Sequence, residues 1–337
     1  MHNVPERLGA ADGAMPSLRD VIAARPHVYR YLRPTPLYHY PGLSELIGAR
    51  VWVKHENHQP VGAFKVRGGL NLVARLSEKE RASGLFTAST GNHGQSIAYA
   101  ARAHGVRATI AVPEGANPGK VAAMRGLGAE VAFHGADFDS AREWVMAMAA
   151  ARGGRFVGPT EELLIHGVGT YALEIVEDLP DVDAIIVPVG AGSGVCATGI
   201  VAKAINPAIQ VIGVQSAQAP AIQMSWACGK AVSADMNTVA EGLATRVPFE
   251  NTQRIMREYL DDFVLVEDAA IEDAILLLLE HTHNIAEGAG AAALAAAIKL
   301  GPRLAGKNVV LVLSGGNLSV DQLRRLLARS GASTRAR

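Results

Sequence analysis

Short apolar runs alternate along most of this 337-residue chain with longer stretches that show the three- and four-residue spacing of amphipathic helices. The apolar runs predict strands at residues 51–54, 85–88, 108–112, 130–133, 156–157, 184–189, 211–215 and 309–313. The periodic stretches predict helices at residues 68–76, 92–103, 118–127, 138–151, 268–283, 287–299 and 320–327. They also predict two helices that end near residues 177 and 204. Strands that alternate with helices in this way indicate βαβ units, and therefore an α/β fold built on parallel strands.

Some segments depart from this alternation. Residues 184–189 are almost entirely apolar, which is typical of a central strand covered on both faces. Residues 230–247 form a longer irregular part with their own turn residues. Residues 1–16 and 330–337 show no apolar pattern, so we expect both ends of the chain to be disordered.

Composition and charge narrow the classes of function. Hydrophobic residues make up 49% of the chain and aromatic residues only 5%, so the predicted core is aliphatic. The formal net charge is zero, which gives no electrostatic reason to expect nucleic acid or a membrane as a partner. The two cysteines, Cys196 and Cys228, indicate a reducing compartment without a disulfide framework. No signal peptide and no membrane span are predicted, so a cytoplasmic location is expected.

Lys65 stands in an unusual setting for a charged residue, because Phe64 and Val66 flank it and two small residues precede it. Burial against apolar surface lowers the pKa of a lysine and makes its amine a usable nucleophile. Such an amine can form a Schiff base with the carbonyl of a substrate or of pyridoxal phosphate (PLP). The alternative is an ordinary lysine at a helix start, with its amine in solvent.

A glycine-rich turn follows the predicted strand at residues 184–189. Gly190, Gly192 and Gly194 allow the backbone to approach a ligand closely, and Ser193 adds a hydroxyl. The N–H groups of this turn and of the next helix would surround an anion such as a phosphate. The spacing matches neither a Walker loop nor the dinucleotide fingerprint, and a plain strand-to-helix turn is the alternative.

Two more junctions also end predicted strands, Ser89-Thr-Gly-Asn-His-Gly-Gln95 and Ser314-Gly-Gly-Asn317. The first presents hydroxyls, an amide and the N–H groups of a starting helix, which suit a carboxylate and a polar ring substituent. A helix cap at Ser89 or Thr90 is compatible with that function. Because ligands gather at the carboxyl ends of strands in open α/β sheets, we expect the three junctions and Lys65 to converge on one crevice.

The motifs occur in a characteristic order. They are Lys-x-Glu-x-x-Gln ahead of Phe64-Lys65-Val-Arg-Gly, then Ser-Thr-Gly-Asn-His-Gly-Gln, the glycine-rich turn, Glu241-Gly242, Glu287 and Ser-Gly-Gly-Asn. In this combination the chain resembles the fold-type II PLP enzymes of the serine/threonine dehydratase and serine racemase family. The similarity runs from Arg33-Pro-Thr-Pro-Leu37 to Ser314-Gly-Gly-Asn317, which is nearly the whole chain.

The resemblance implies a tryptophan synthase β-like fold of two parallel or mixed open sheets flanked by helices. It implies a large PLP-binding domain of residues 17–80 and 158–329, and a small substrate-side domain of residues 81–157. It also implies PLP as the cofactor, a small amino acid as the substrate, and a homodimer or homotetramer.

Roles for individual residues follow from the same resemblance. Lys65 would be the Schiff-base lysine and the general base, Asn92 would bond the ring hydroxyl of PLP, and Ser314 would face the pyridine nitrogen. The implied cofactor-binding set is Phe64, Lys65, Asn92, Gly190, Ala191, Gly192, Ser193, Gly194, Glu287 and Ser314, in which residues 190–194 hold the phosphate. The implied catalytic pair is Lys65 and Thr90, and the implied substrate-binding set is Ser89, Thr90, Gly91, Asn92 and His93.

The chain departs from the pattern of these relatives at several positions. Gln215, Ala219 and Ala221 occupy the place of an acidic cation site, so no Mg²⁺ or Ca²⁺ site is predicted. Thr90 replaces the serine that racemases use. His166 and Val168 replace a small residue and a glutamine on the expected substrate side.

The leading hypothesis is β-elimination from L-threonine or L-serine, which gives a 2-oxo acid and ammonia. Ser314 favours elimination over transamination, because a hydroxyl cannot keep the ring nitrogen protonated. A second hypothesis is the same reaction on another 3-hydroxy amino acid, either phenylserine or hydroxyaspartate, whose second carboxylate Arg246 could bind. Hypotheses that change the reaction itself are an amino-acid racemase, a β-replacement enzyme and a non-catalytic PLP carrier.

Overall fold

The computed structural model describes the backbone of residues 15–334 and the side chains up to residue 329. Its strands are β1 (Leu37–His39), β2 (Arg50–His55), β3 (Leu85–Ala88), β4 (Ala108–Val112), β5 (Glu130–Phe133), β6 (Arg155–Phe156), β7 (Ala184–Pro188), β8 (Gln210–Ser216), β9 (Asp262–Val266) and β10 (Asn308–Leu313). Its helices are α1 (Leu18–Tyr29), α2 (Pro41–Ile47), α3 (Val66–Ala74), α4 (Glu78–Ser83), α5 (Asn92–Ala103), α6 (Pro118–Gly126), α7 (Phe138–Ala151), α8 (Glu162–Asp178), α9 (Ser193–Ile205), α10 (Ala221–Cys228), α11 (Glu250–Tyr259), α12 (Asp268–Thr282), α13 (Gly288–Leu300) and α14 (Val320–Thr334).

Six strands form the larger sheet in the order β1-β2-β10-β7-β8-β9. The edge strand β1 runs antiparallel to its neighbour, β2, and the remaining pairs of this sheet are parallel. Successive side chains of a strand point to opposite faces of the sheet. Val309 and Leu311 of β10 therefore pack with α12 and α13, whereas Val310 and Val312 pack with α8 and α9. Both faces of this sheet are covered by helices.

Four parallel strands form the second sheet in the order β5-β4-β3-β6. One face packs against α3, α5 and α6, and the opposite face packs against α7. This sheet lies within residues 85–156, inside the segment for which a small domain was predicted. The division of the chain into a large and a small domain stays a prediction.

The predicted alternation and the two-sheet α/β class are confirmed, and β3, α5, β4, β5 and α7 begin and end where the sequence pattern places them. The short elements α1, α2, α4, α10, α11, β1 and β9 were not predicted. Most of them depend on distant partners rather than on a local pattern. For example, α1 packs on α8, and β9 pairs with β8.

The ends of the chain differ in part from the expectation of disorder. Helix α14 continues to Thr334, because an established helix gains one hydrogen bond with each added residue. The expectation is therefore wrong for residues 330–334. Residues 1–14 and 335–337 lie outside the described part, so the prediction made for them is not addressed by the structure.

Strand order also determines where ligands can bind. Strands β7 and β10 are hydrogen-bonded neighbours, so the segments that follow them, residues 189–192 and 314–319, leave the sheet side by side. Both leave from carboxyl ends of parallel strands, which is where open α/β sheets place their ligands.

Candidate active site

Lys65 lies at the start of α3, in the segment that follows β2. Its Nζ is 3.1 Å from Ser193 Oγ and 4.8 Å from the centre of the Phe64 ring. Burial lowers the pKa of Lys65 to about 8, and the Glu287 carboxylate only partly opposes that change. Lys65 therefore carries a neutral, nucleophilic amine in a far larger fraction of molecules than a solvated lysine does.

Backbone pairing brings Lys65 beside Ser314. Phe64 N–H donates to the Ser314 carbonyl at 3.1 Å, and Gly316 N–H donates to the Gly62 carbonyl at 2.9 Å. Ala63 and Gly315 form an isolated antiparallel bridge between these two bonds. Ser314 is buried. Two segments about 250 positions apart in the sequence thus form one wall of a crevice, as the convergence of strand ends predicted.

The glycine-rich turn, residues 190–194, leads from β7 into α9. Gly192 has φ +100° and caps the helix, and a Cβ on Gly190 would lie 2.1 Å from the Gly242 carbonyl oxygen. Both positions therefore require glycine. Among the described residues, none of the N–H groups of 190–194 donates to another backbone group. These donors and the start of α9 form the type of site that binds a phosphate.

The junction after β3 turns sharply into α5. Ser89 Oγ accepts hydrogen bonds from Gly91 N–H at 3.2 Å and from Gly94 N–H at 2.9 Å. The hydroxyl of Ser89 therefore orders the turn, as the helix-cap interpretation expected. The N–H groups of Asn92 and His93 belong to the first turn of α5, where N–H groups have no partner within the helix, so they can bind an anion. Thr90 lies beside them and is half-buried.

A chain of polar contacts joins these segments. Asn92 Nδ2 donates to Glu287 Oε1 at 2.7 Å, and Asn317 Nδ2 donates to Asn92 Oδ1 at 2.7 Å and to the Val61 carbonyl at 2.9 Å. Burial raises the pKa of Glu287, although the bond from Asn92 opposes this rise. Asn317 was not predicted as a site residue, although it ends the Ser-Gly-Gly-Asn motif.

His93 is oriented away from the role implied for its side chain. Its Nε2 is 3.0 Å from Thr87 Oγ1 and 3.3 Å from the Val157 carbonyl, beneath the junction. Burial, helped by the nearby charge of Lys65, lowers the pKa of His93 to about 4, so the ring is neutral at physiological pH. Only the backbone N–H of His93 supports the predicted binding of a substrate.

The expectation that His166 lies on the substrate side is wrong. His166 interacts electrostatically with Asp20 of α1, and a Cβ on Gly169, one turn later, would lie 2.7 Å from Val21 of the same helix. Residues three apart share one face of a helix, so this face of α8 is turned toward α1. Val168, by contrast, is buried in the core cluster that contacts Phe64.

Arg246 is exposed, and its charge adds to the hydrogen bonds with Ser140 that lower the pKa of Asp137 at the start of α7. This is the position of an ordinary surface arginine, and it gives no support to the hypothesis that Arg246 binds a second carboxylate. Gln215, at the position matched to a cation site, donates to the Leu243 carbonyl at 3.4 Å and accepts from Gln223 N–H at 3.1 Å. Neither Gln215 nor the buried Ala219 and Ala221 supplies a carboxylate, and the expected lack of a metal there stays a prediction.

Residues 28–315 match the family model for pyridoxal-phosphate dependent enzymes. The L-threonine ammonia-lyase of Thermotoga maritima is 40% identical over 316 residues, which cover 93% of this chain and 78% of that protein. A catabolic L-threonine dehydratase of Staphylococcus aureus is 36% identical over 91% of this chain and 90% of that protein. Among solved structures, maize serine racemase is similar with a TM-score of 0.89 at 28% identity, over 96% of this chain and all of that chain.

Proposed function

This chain belongs to the family of pyridoxal-phosphate dependent enzymes, and we propose that it removes the β-hydroxyl group from L-threonine or L-serine, releasing a 2-oxo acid and ammonia. The predicted family, the fold-type II architecture and the PLP cofactor are confirmed by the similarities above. The activities named for the relatives support a lyase that acts on a small amino acid.

One observation carries the proposal. Lys65 has a pKa lowered to about 8, and its amine is 3.1 Å from Ser193, in a crevice formed by the ends of β2, β7 and β10. A buried amine beside a phosphate-type site is what an enzyme needs in order to hold a cofactor that carries both an aldehyde and a phosphate.

The residues of the crevice fit PLP group by group. The N–H groups of residues 190–194 and the Ser193 hydroxyl would hold the phosphate, and the Asn92 amide would bond the ring hydroxyl. Ser314 would face the ring nitrogen, and Phe64 would pack beside the amine of Lys65. Glu287 would complete the site by holding Asn92 in place.

The substrate side uses the junction between β3 and α5. The N–H groups of Asn92 and His93, with Ser89, Thr90 and Gly91, would bind the α-carboxylate at the helix N-terminus. A substrate whose carboxylate is bound there would have its Cα oriented relative to Lys65. Since the pKa of Lys65 is close to neutral, its freed amine can take the α-proton as a general base. The Thr90 hydroxyl, on the same junction, would assist proton transfer.

When bound, PLP supplies an electron sink for the negative charge that develops at Cα. Ser314 would supply a neutral hydroxyl to the ring nitrogen rather than a carboxylate, which would make the ring a weaker sink. A weaker sink would favour rapid loss of the β-substituent over a long-lived negative charge at Cα. The β-hydroxyl would leave as water, and hydrolysis of the enamine product would give a 2-oxo acid and ammonia.

The remaining substrates and reactions receive less support. A diacid such as hydroxyaspartate needs a second cation at the site, whereas Arg246 is exposed and its charge acts on Asp137. A racemase needs a proton donor on the face opposite Lys65, and Thr90 has a hydroxyl for that purpose, but its additional methyl group restricts the rotamers of the side chain.

We further propose a cytoplasmic homodimer or homotetramer. The two cysteines form no disulfide in the described part of the chain, and no helix within residues 15–334 is long and apolar enough to cross a membrane. The exposed apolar side chains of Tyr38, Leu46 and Ile285 support contact between subunits. Light scattering of the purified protein tests the assembly, and a monomeric mass would contradict it.

The activity is tested with a substrate panel. The purified protein, loaded with PLP, is incubated with L-threonine, L-serine, 3-hydroxyaspartate and 3-phenylserine, and both the 2-oxo acid and the ammonia are measured. We expect equal amounts of both products from threonine or serine. A separate assay for the D-enantiomer measures racemization, and an added thiol reveals any β-replacement.

Lys65→Ala provides the control. We expect this variant to lose the visible absorption band of lysine-bound PLP and to lose activity, because the amine is removed. An unchanged band would exclude Lys65 from its proposed role. Wild-type protein that shows the band but makes no 2-oxo acid, no D-enantiomer and no thiol product from any of the four substrates would be a PLP carrier instead.

A further inference from the structure

A threonine that no sequence motif includes lies directly behind the glycine-rich turn. Thr252, on α11, is fully buried, and its Oγ1 donates to the Ala191 carbonyl at 2.9 Å. The same side chain packs against Gly192, because a Cβ built on that glycine would be 3.0 Å from Thr252 Cβ. The hydroxyl and the methyl group of Thr252 thus contact the turn at two consecutive residues.

The bond to Ala191 has a geometric consequence. In a trans peptide the carbonyl group of one residue and the N–H group of the next point in opposite directions. Holding the Ala191 carbonyl toward Thr252 therefore directs the Gly192 N–H away from it, toward the side of the turn that is free of backbone partners. Gly192 has φ +100°, a conformation that glycine leaves easily, so this peptide needs an external restraint.

The carbonyls that follow in the turn are held in the same way. The Gly194 carbonyl accepts from Tyr171 Oη at 2.9 Å and from Thr198 Oγ1 at 3.0 Å. The Gly192 carbonyl accepts from Cys196 N–H at 3.0 Å. With these carbonyls bonded on one side, the N–H groups are kept for a ligand on the opposite side. Two of these supports come from outside the unit of β7 and α9, namely Tyr171 from α8 and Thr252 from α11.

Thr252 is itself anchored from both sides. Asn251 Oδ1 accepts from Thr252 N–H at 2.8 Å, and the Asn251 amide donates to the Thr160 carbonyl. The Thr252 carbonyl accepts from Cys196 Sγ at 3.4 Å. The Thr252 hydroxyl also lies 3.2 Å from the Phe249 carbonyl, and its contact with the Ala191 carbonyl, at 2.9 Å, is the shorter of the two.

We propose that Thr252 is a positioning residue of the phosphate site, and that its hydroxyl keeps the Gly192 N–H directed at the phosphate of the cofactor. Without that bond the Ala191–Gly192 peptide can rotate, and a rotated peptide presents a carbonyl oxygen to an anion. The proposal rests on the proposed assignment of residues 190–194 to the phosphate of PLP. It concerns cofactor affinity and holds for whichever amino acid is the substrate.

The test compares two variants that separate the hydroxyl from the methyl group. Thr252→Val keeps the shape and removes the hydroxyl, whereas Thr252→Ser keeps the hydroxyl. Cofactor-free protein is titrated with PLP and, separately, with pyridoxal, which lacks the phosphate, and binding is followed by absorbance. We expect Thr252→Val to weaken PLP binding by about two- to twelvefold, the range for one lost hydrogen bond, with pyridoxal affinity unchanged. Thr252→Ser should stay within about twofold of wild type for both ligands.

Thr109→Val is the matched control, because Thr109 is also buried and donates a hydrogen bond, to Glu130, at the far end of β4. It should bind PLP as the wild type does. If Thr252→Val does not fold, Thr252→Ala takes its place. Equal PLP affinity in the valine variant and the wild type would overturn the proposal, and so would an equal loss for PLP and pyridoxal, which would indicate a structural role alone.

The outcomes also separate this proposal from the proposed function. Wild-type protein that binds PLP no better than pyridoxal would remove the phosphate assignment and Thr252 with it. Wild-type protein that binds PLP but eliminates no hydroxyl group would overturn the proposed function, while a selective loss of PLP affinity in Thr252→Val would still support the positioning role.

Discussion

The Asn92 amide nitrogen donates to the Glu287 carboxylate at 2.7 Å, although the two residues are 195 positions apart in the sequence. Because the Asn92 oxygen accepts from Asn317, both ends of the amide have a defined orientation. An amide nitrogen has two N–H donors, so one remains for a ligand. Glu287 thus acts on the cofactor site through Asn92, and its own carboxyl has a raised pKa because it is buried.

Glu287→Gln should change the pH dependence of stability in cofactor-free protein. The folded-state pKa of Glu287 is raised, so its contribution to stability is present at low pH and is lost as the pH rises through that pKa. Glutamine does not titrate, so the free energy of unfolding of the variant, relative to wild type, should increase with pH. Urea unfolding from about pH 4 to about pH 8 measures this difference. A difference that stays constant with pH would contradict the prediction.

Capture of PLP by cofactor-free protein should be fast near neutral pH. The neutral amine is the nucleophile, and burial lowers the pKa of Lys65 to about 8. The rate of appearance of the visible absorption band should therefore rise with pH and level off just above pH 8. Stopped-flow absorbance over a pH series checks this. A rate that still rises near about pH 10, as for a solvated lysine, would be inconsistent with a buried amine.

Arg67→Met should destabilise the protein by roughly 3–5 kcal/mol, because the substitution leaves the buried Glu56 carboxylate without the cation that pairs with it, whereas Glu174 keeps Lys54. Arg67 is fully buried and pairs with Glu56 at 2.7 Å and with Glu174 at 2.6 Å. The control is Arg25→Ala, since Arg25 and Glu177 form a pair whose side chains are 38% and 47% exposed. That substitution should cost less than about 1 kcal/mol. Urea unfolding distinguishes the two variants, and similar costs would show that the buried network contributes no more than a surface pair.

Gly190→Ala should weaken PLP binding, since its Cβ would lie 2.1 Å from the Gly242 carbonyl oxygen, a backbone atom. The glycine-rich turn would have to move to remove this contact. Overpacking of this kind costs about 1–3 kcal/mol, or roughly five- to 150-fold in affinity. Gly115→Ala is the control, because no atom lies within 4 Å of its would-be Cβ. Titration with PLP measures both variants. Wild-type affinity in Gly190→Ala would show that the turn is not held against Gly242.

The site residues could be predicted from the sequence where unusual chemistry occurs within a short local pattern. Lys65, the glycine-rich turn, the Asn92 junction and Ser314 were each identified from short segments, and the structure places these segments around one crevice. The prediction for His166 was wrong, because the position of a residue in the sequence does not show which neighbour its face of a buried helix packs against. Gly169 against Val21 shows that this face of α8 packs on α1.

Two residues that support the site could not be predicted from the sequence. Thr252 belongs to no motif, and its bond to Ala191 spans 61 positions. Asn317 does belong to a motif, but its partners Asn92 and Val61 lie 225 and 256 positions away. Nothing local distinguishes either side chain from an ordinary polar residue, so contact with a distant segment alone reveals its part in the site.

The sequence by itself determined the α/β class, the positions of most strands and helices, and the groups able to hold a cofactor that carries a phosphate and bonds to a lysine amine. These properties follow from periodicity and residue chemistry, which act over a few positions. Only the tertiary structure decided the pKa of Lys65, the orientation of the Asn92 amide and the supports behind the glycine-rich turn. Each of these depends on burial or on a hydrogen bond between distant segments, and such contacts exist only after the two sheets have packed.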